Sequence, residues 1–205
     1  MSLLSQAKTL GGIGSLLVLL TCIPSAGPLL GIVGFILTLI AVKYISDAVG
    51  DRAIFNNMII SVVLSIVGVI AGALLVFASV FRFMGWGHMV WGGMDWHLVN
   101  PPVIPQGDVV GFIGSIIAGL VVIWISLIIS AVFLRRSYTS IARRLNVGMF
   151  STAALIFLIG AATTIVVIGF LLIFVAQILL IVAFFSIPEQ LPQATQGPPA
   201  TATTQ

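Results

Sequence analysis

The side chains that could do chemistry in this chain are concentrated in one run, residues 84–97, of an otherwise apolar sequence. Within the run Met-x-Trp recurs three times with a period of five residues, and two histidines and an aspartate lie among the repeats. Thioether sulfur together with imidazole suits Cu(I), and a neighbouring indole face can shield or attract the ion. The run therefore contains a candidate Cu(I) or Ag(I) site, whose ligands would be Met84, His88, Met89, Met94 and His97, with Asp95 beside them.

The same run also fits a structural role, which is the interpretation we favour. Tryptophan rings prefer the headgroup level of a bilayer, where one edge of the ring meets water and the rest meets lipid. The glycines would give the run a compact path, and the methionines would fill gaps beneath the rings. The interfacial anchors in this interpretation are Trp86, Trp91 and Trp96. This role requires membrane-spanning segments on either side of the run.

The composition places the chain in the integral membrane class. Of its 205 residues, 60% are hydrophobic and 6% are charged, and the mean hydropathy is +1.28. A soluble domain of this length cannot hide so much apolar surface. Cys22 is the single cysteine, which excludes an intrachain disulfide.

The gaps between charged residues predict six membrane spans. The stretches 55–81 and 109–134 each have the length of one long, tilted helix. Two other stretches, 9–42 and 145–186, would extend about 50–60 Å as straight helices, nearly twice the thickness of the hydrocarbon core, so each must fold back. The first turns at its two prolines, and we expect the second to turn within 162–169. The predicted fold is therefore an all-α polytopic membrane protein, with two tight hairpins flanking two long spans. Its single transmembrane domain covers 1–187, with spans at 9–23, 29–46, 55–81, 109–134, 147–163 and 169–187.

The basic residues predict the orientation of these spans. With six spans, both termini and the connections 43–54 and 135–146 lie on one side, which holds seven of the eight lysines and arginines. The positive-inside rule makes this side of the cell membrane cytoplasmic, so the loop 82–108 is expected to be extracytoplasmic. The Pro-, Gln- and Thr-rich tail 188–205 is expected to be disordered in the cytoplasm. An alternative treats residues 1–26 as a cleaved signal peptide, which leaves five spans in the same orientation.

Apart from Lys43, close to the cytoplasmic end of the span 29–46, the spans contain no Asp, Glu, Lys, Arg or His, which limits the functions to be expected. Pumps and ion-coupled carriers place ionisable groups near the middle of the bilayer, so an energised transporter is not expected. No combination of residues in the sequence predicts a catalytic site, and neither enzymatic activity nor a cofactor is expected. Serines and threonines could line a passive pore for small neutral solutes, although such hydroxyls commonly bond within the bundle instead. Gln177, in the last span, is expected to bond to another helix.

A basic patch lies between the fourth and fifth spans. Two arginine pairs spaced by eight residues would share one face of a helix and meet anionic lipid headgroups; they are Arg135, Arg136, Arg143 and Arg144. We do not expect nucleic-acid binding. Small residues spaced by four, as at Gly68 and Gly72, permit helices to approach closely within one chain or between chains.

Glycine-and-aliphatic motifs in two regions resemble a known family. The motifs are AKTLGGIGSL at 7–16, GIVG at 31–34, IAVKYIS at 40–46 and IFNN at 54–57, with FSTAAL at 150–155 and IVAFFSIP at 181–188. They resemble a mainly archaeal membrane family catalogued as domain of unknown function 996. The resemblance implies a multi-spanning membrane protein, and it brings no activity, cofactor or catalytic residue.

The sequence as a whole predicts a non-enzymatic structural or accessory component of a membrane assembly. Its partners would be the lipid bilayer and either further copies of itself or the subunits of a larger complex. A passive channel or carrier for small neutral solutes is the second interpretation. An extracytoplasmic Cu(I)- or Ag(I)-binding membrane protein is the third.

Overall fold

A computed structural model of the chain describes residues 2–83 and 106–190. The predicted metal ligands and the three tryptophan anchors, all within 84–97, lie outside this part. So do residues 191–205, which make up most of the tail that the sequence predicts to be disordered. For these residues the interpretations given above stay predictions.

The described chain consists of six α-helices and two short 3-10 turns, and it contains no strand within these residues. The helices are α1 (Leu3–Leu19), α2 (Gly27–Val49), α3 (Arg52–Phe83), α4 (Gln106–Leu145), α5 (Met149–Thr163) and α6 (Ile168–Phe185). Five of them are long and apolar enough to cross a membrane, and α1, with 17 residues, is a shorter apolar helix. The predicted all-α polytopic fold, with two hairpins flanking two long helices, is therefore confirmed.

The helices pack as three hairpins that close into a ring. The hairpins are α1–α2, α3–α4 and α5–α6, and contacts of α2 with α3, α4 with α5 and α1 with α6 complete the ring. The Ser2 hydroxyl donates a hydrogen bond to the Glu189 carbonyl oxygen at 3.2 Å, so the two ends of the described chain meet. We refer to this side, which also carries the α2–α3 and α4–α5 connections, as the terminal end of the bundle. The 3-10 turns of the two short hairpins lie at the opposite, far end.

Local sequence explains where the helices stop. At the terminal end α2 stops at Gly50, whose φ of 71° is a left-handed conformation that glycine adopts without a steric penalty. Asn146, at φ 56°, ends α4 in the same way. The second short hairpin turns at Thr164–Val166, inside the interval 162–169. This turn is tight because Gly160 and Gly169 approach closely: a Cβ added at Gly160 would lie 3.0 Å from the Gly169 carbonyl oxygen.

Two helices differ most in extent from the spans drawn on the sequence. Helix α1 begins at Leu3 rather than residue 9, because the Ser2 hydroxyl accepts a hydrogen bond from the Ser5 backbone and caps the helix. Helix α4 continues past residue 134 through the basic patch to Leu145. No glycine or proline interrupts 135–145, and arginine is a good helix former, so nothing ends the helix before Asn146.

The buried core lies at the terminal end, where all six helices contribute to it. Its largest fully buried side chains include Ile45, Ile54, Ile141, Phe150 and Phe184. Toward the far end α3 and α4 pack chiefly on each other, and a Cβ added at Gly72 would lie 2.6 Å from the Gly119 carbonyl oxygen. The outward side chains of this long hairpin are exposed and apolar, as expected of surfaces that face lipid or another membrane protein.

Candidate functional site

The basic patch forms a groove on α4 at the terminal end. Arg135, Thr139 and Arg143 follow one another at intervals of four residues and therefore share a helix face. Together with Arg136, Ser140 and Leu158 of α5 they line a surface pocket of about 380 Å³. Guanidinium groups and hydroxyls together with apolar side chains in one pocket fit a phosphate headgroup with an acyl chain attached. Three of the four predicted headgroup residues therefore line one pocket.

Arg144, the fourth, turns away from this pocket. Its guanidinium Nη2 lies 3.2 Å from Oδ2 of Asp51, in the connection between α2 and α3. The Asp51 carboxylate also accepts a hydrogen bond from the Ala53 backbone at the start of α3. Because the Arg144 side chain is 58% exposed, solvent screens the ion pair, and its contribution to stability is small. Arg144 thus joins the end of α4 to the α2–α3 connection.

Several polar side chains inside the bundle bond between helices. The hydroxyls of Ser61 on α3 and Ser130 on α4 lie 2.9 Å apart, and Ser130 also lies 2.8 Å from the Ser61 carbonyl oxygen. About two turns nearer the terminal end, the Ser137 hydroxyl donates to the Ile54 carbonyl oxygen at 2.8 Å. Trp124 joins α4 to α5 through a bond from its ring nitrogen to the Ala162 carbonyl oxygen at 3.2 Å.

Gln177 makes a bond of the same kind between α6 and α1. Its Nε2 donates to the Ser15 carbonyl oxygen at 3.0 Å. A carbonyl can only accept, so this contact also fixes which end of the amide is the nitrogen. The side-chain hydroxyl of Ser15 itself is fully buried and has no hydrogen-bond partner among the described residues.

A cavity of about 240 Å³ lies at the centre of the ring and is lined by side chains from all six helices. Its wall is mainly apolar, and its polar members are Thr38, Tyr138 and Gln177. The sequence singled out Gln177 but not the other two. Because Tyr138 lies between the arginine pairs of the basic patch, its place in the cavity wall is not evident from its immediate neighbours in the sequence. The available signal was its spacing of four from Leu134 and three from Ile141, which places these apolar residues on the same helix face.

Aromatic rings close the cavity toward the terminal end. The Tyr138 and Phe150 ring centroids are 5.9 Å apart, and Phe150 meets Phe184 edge to face at 5.1 Å. Phe150 and Phe184 each lie about one helical turn nearer the terminal end than the cavity-lining residues Ala153 and Leu180. Gly11 of α1 gives the Phe184 ring the space that it occupies. This stack separates the cavity from the terminal surface.

Comparison with known proteins assigns the chain to a family but not to an activity. The family model described as "Protein of unknown function (DUF996)" matches residues 30–178. The chain is also 32% identical over 188 residues to a protein named "Uncharacterized protein MJ1644" from Methanocaldococcus jannaschii, an alignment that covers 92% of this chain and 95% of that protein. No solved structure matches. The resemblance suggested by the glycine-and-aliphatic motifs is thereby confirmed, and the chain belongs to the DUF996 family of membrane proteins.

Proposed function

We propose that the protein is a non-enzymatic structural or accessory component of a membrane assembly. The observation that carries this proposal is the use of polar side chains within the bundle. Ser130, Ser137 and Gln177 each hold two helices together through a bond to a backbone carbonyl. Polar groups that hold helices together stabilise a scaffold.

The surface of the long α3–α4 hairpin supports an assembly role. Near the far end the exposed fractions of Leu74, Phe77 and Val110 are 61%, 67% and 72%. Glycines on the inner face bring the two helices together, so the large apolar side chains point outward. Such a surface can be covered by lipid, by a second copy of the chain or by another membrane subunit.

Native mass spectrometry tests this proposal. The protein would be extracted from its own membrane in a mild detergent, purified and measured intact. We expect a mass above the 21.6 kDa of one chain, from further copies or from a co-purifying protein at fixed stoichiometry. The matched control is the same preparation exchanged into a harsh detergent, which should release single chains. A 21.6 kDa species with lipid alone in both detergents would contradict the proposal.

The proposed orientation places the terminal end in the cytoplasm. This proposal is supported by the contacts of Ser2 with Glu189 and of Arg144 with Asp51. They bring both ends of the described chain, the α2–α3 connection and the end of α4 together beside most of the basic residues. In a Cys22→Ser background, a membrane-impermeant maleimide should label Val166→Cys on intact cells. It should label Ser140→Cys only after the cells are opened. The reverse pattern would invert the orientation.

A passive path for small neutral solutes is the second candidate, and the central cavity is the observation that favours it. The stack of Tyr138, Phe150 and Phe184 closes one end of that cavity, so conduction would require these rings to move. Swelling of proteoliposomes in glycerol or urea tests the idea. A conducting protein should swell faster than empty liposomes, and Ala153→Leu, which narrows the cavity, should slow it. Swelling no faster than that of empty liposomes would exclude the path.

A further inference from the structure

Tyr138 is a buried residue whose hydroxyl the packing of the bundle does not use. Tyr138 is 3% exposed and lines the central cavity. No hydrogen bond joins its hydroxyl to any residue that the structure describes. The hydroxyl is not among the fully buried polar atoms without a partner, so it borders open space. It is therefore a free donor at the cavity that its residue lines.

Two further polar groups in the cavity wall have remaining capacity for hydrogen bonds. The Thr38 hydroxyl donates to the Gly34 carbonyl oxygen at 2.9 Å, which leaves its lone pairs free to accept. Gln177 uses one N–H on Ser15, so its carbonyl oxygen and second N–H remain. The cavity thus offers donors and acceptors but no ionised side chain among its lining residues. A charged ligand would lose its hydration without compensation, so the chemistry selects an uncharged one.

The rest of the wall sets the shape and size of that ligand. Met58, Leu134, Phe157 and Leu180 surround the polar groups with apolar surface. The cavity volume of about 240 Å³ corresponds to roughly eight water molecules at the ~30 Å³ each has in the liquid. A compact molecule with an apolar body and one carbonyl or hydroxyl group matches both the size and the polarity.

Access to the cavity lies on the bilayer side. Phe35 of α2 belongs to the cavity wall and is also 37% exposed. It lies in the middle of a membrane-spanning helix, whose turns nearer the far end are exposed as well, with Leu29 at 72% and Ile32 at 60%. Because the aromatic stack blocks the terminal end, a ligand would come from the lipid phase, past Phe35.

We propose that the central cavity is a binding site for a small uncharged amphiphile that comes from the bilayer and accepts a hydrogen bond from the Tyr138 hydroxyl. This site is independent of the assembly role, because the cavity lies inside one chain. Gln177 and Thr38 provide the remaining polar contacts, and the apolar wall holds the body of the ligand.

Benzophenone, an uncharged diaryl ketone that is also photoreactive, is the probe that tests this site. The purified full-length protein would be irradiated with it in lipid nanodiscs, and labelled peptides would be quantified by mass spectrometry. We expect saturable labelling of cavity residues such as Met58, and a rise in the unfolding temperature when benzophenone is added. Tyr138→Phe removes only the free hydroxyl and should weaken apparent binding about three- to tenfold, the range for loss of one hydrogen bond.

Matched variants separate binding in the cavity from partition into lipid. Tyr44→Phe removes the hydroxyl of the other tyrosine, which packs against the core outside the cavity, and should leave binding unchanged. Ala153→Leu fills part of the cavity and should abolish saturable labelling while leaving labelling of lipid-facing residues intact. Labelling that does not saturate, or that Tyr138→Phe and Ala153→Leu leave at the wild-type level, would overturn the proposal. So would a cavity that holds water only, recognised by the absence of both cavity labelling and a thermal shift.

Discussion

Replacement of Gly11 tests the packing at the terminal end most directly. Gly11 faces the Phe184 ring across the contact between α1 and α6. A Cβ added there would lie 2.7 Å from Cγ of that ring, whereas ordinary van der Waals contact begins at 3.4 Å. The ring cannot withdraw, because Phe184 is fully buried and meets Phe150 edge to face. Gly11→Ala must therefore push α1 away from α6.

The magnitude follows from two opposing effects. Overpacking a core costs about 1–3 kcal/mol, whereas Gly→Ala inside a helix contributes up to about 1 kcal/mol of helix propensity. Gly114→Ala in α4 is the matched control, because a Cβ added there meets nothing within 4 Å and only the favourable effect remains. We expect the free energy of unfolding of Gly11→Ala to be about 1–3 kcal/mol below that of Gly114→Ala.

Reversible unfolding in mixed micelles of dodecyl maltoside and SDS, followed by circular dichroism, measures this difference. A double-mutant cycle with Phe184→Leu adds a second test, because a smaller side chain makes room for the added methyl group. The loss caused by Phe184→Leu should be smaller by about 1 kcal/mol in the Gly11→Ala background than in the wild type. Equal free energies of unfolding for Gly11→Ala and Gly114→Ala would refute the close approach of α1 and α6.

Three further predictions concern the basic groove, the α3–α4 hairpin and the tryptophan run. Arg135→Gln and Arg143→Gln should each lower the retention of phosphatidylglycerol by the protein about fivefold relative to phosphatidylcholine, as expected for a loss of about 1 kcal/mol per arginine. Arg144→Gln is the control: the partner of Arg144 is Asp51, so retention should change much less. Equal effects of all three substitutions would contradict lipid binding in the groove. Ser61→Ala and Ser130→Ala should show a coupling energy of about 0.5–1.7 kcal/mol in the unfolding assay, and additive losses would place the two hydroxyls apart. The triple variant Met84→Leu, Met89→Leu and Met94→Leu tests the metal site in the tryptophan run. If the run binds metal, Cu(I) titration should change the tryptophan fluorescence of the wild type but not of this variant. An unchanged wild-type signal would exclude the metal site.

The membrane class, the hairpins and the placement of both ends of the chain on one side of the bundle follow from the sequence alone, because each depends on local information. Hydropathy defines the apolar stretches, and their length against the bilayer thickness demands that two of them fold back. Prolines near residue 24 and glycines near 160 and 169 locate the turns. Once the number of crossings is even, both chain ends must lie on one side, and the bond of Ser2 to Glu189 agrees with this parity.

Which face of each helix turns inward was decided only by the tertiary structure. In a soluble bundle a polar stripe marks the outer face, but in a membrane the lipid side and the protein side are both apolar, so the sequence carries little amphipathic signal. Tyr138 therefore looked like part of a basic surface segment, although it points into the central cavity while Arg135 and Arg143 on the same helix face outward. Arg144 could likewise be assigned to the surface by its type, but only the packing of α4 beside the α2–α3 connection brings it to Asp51.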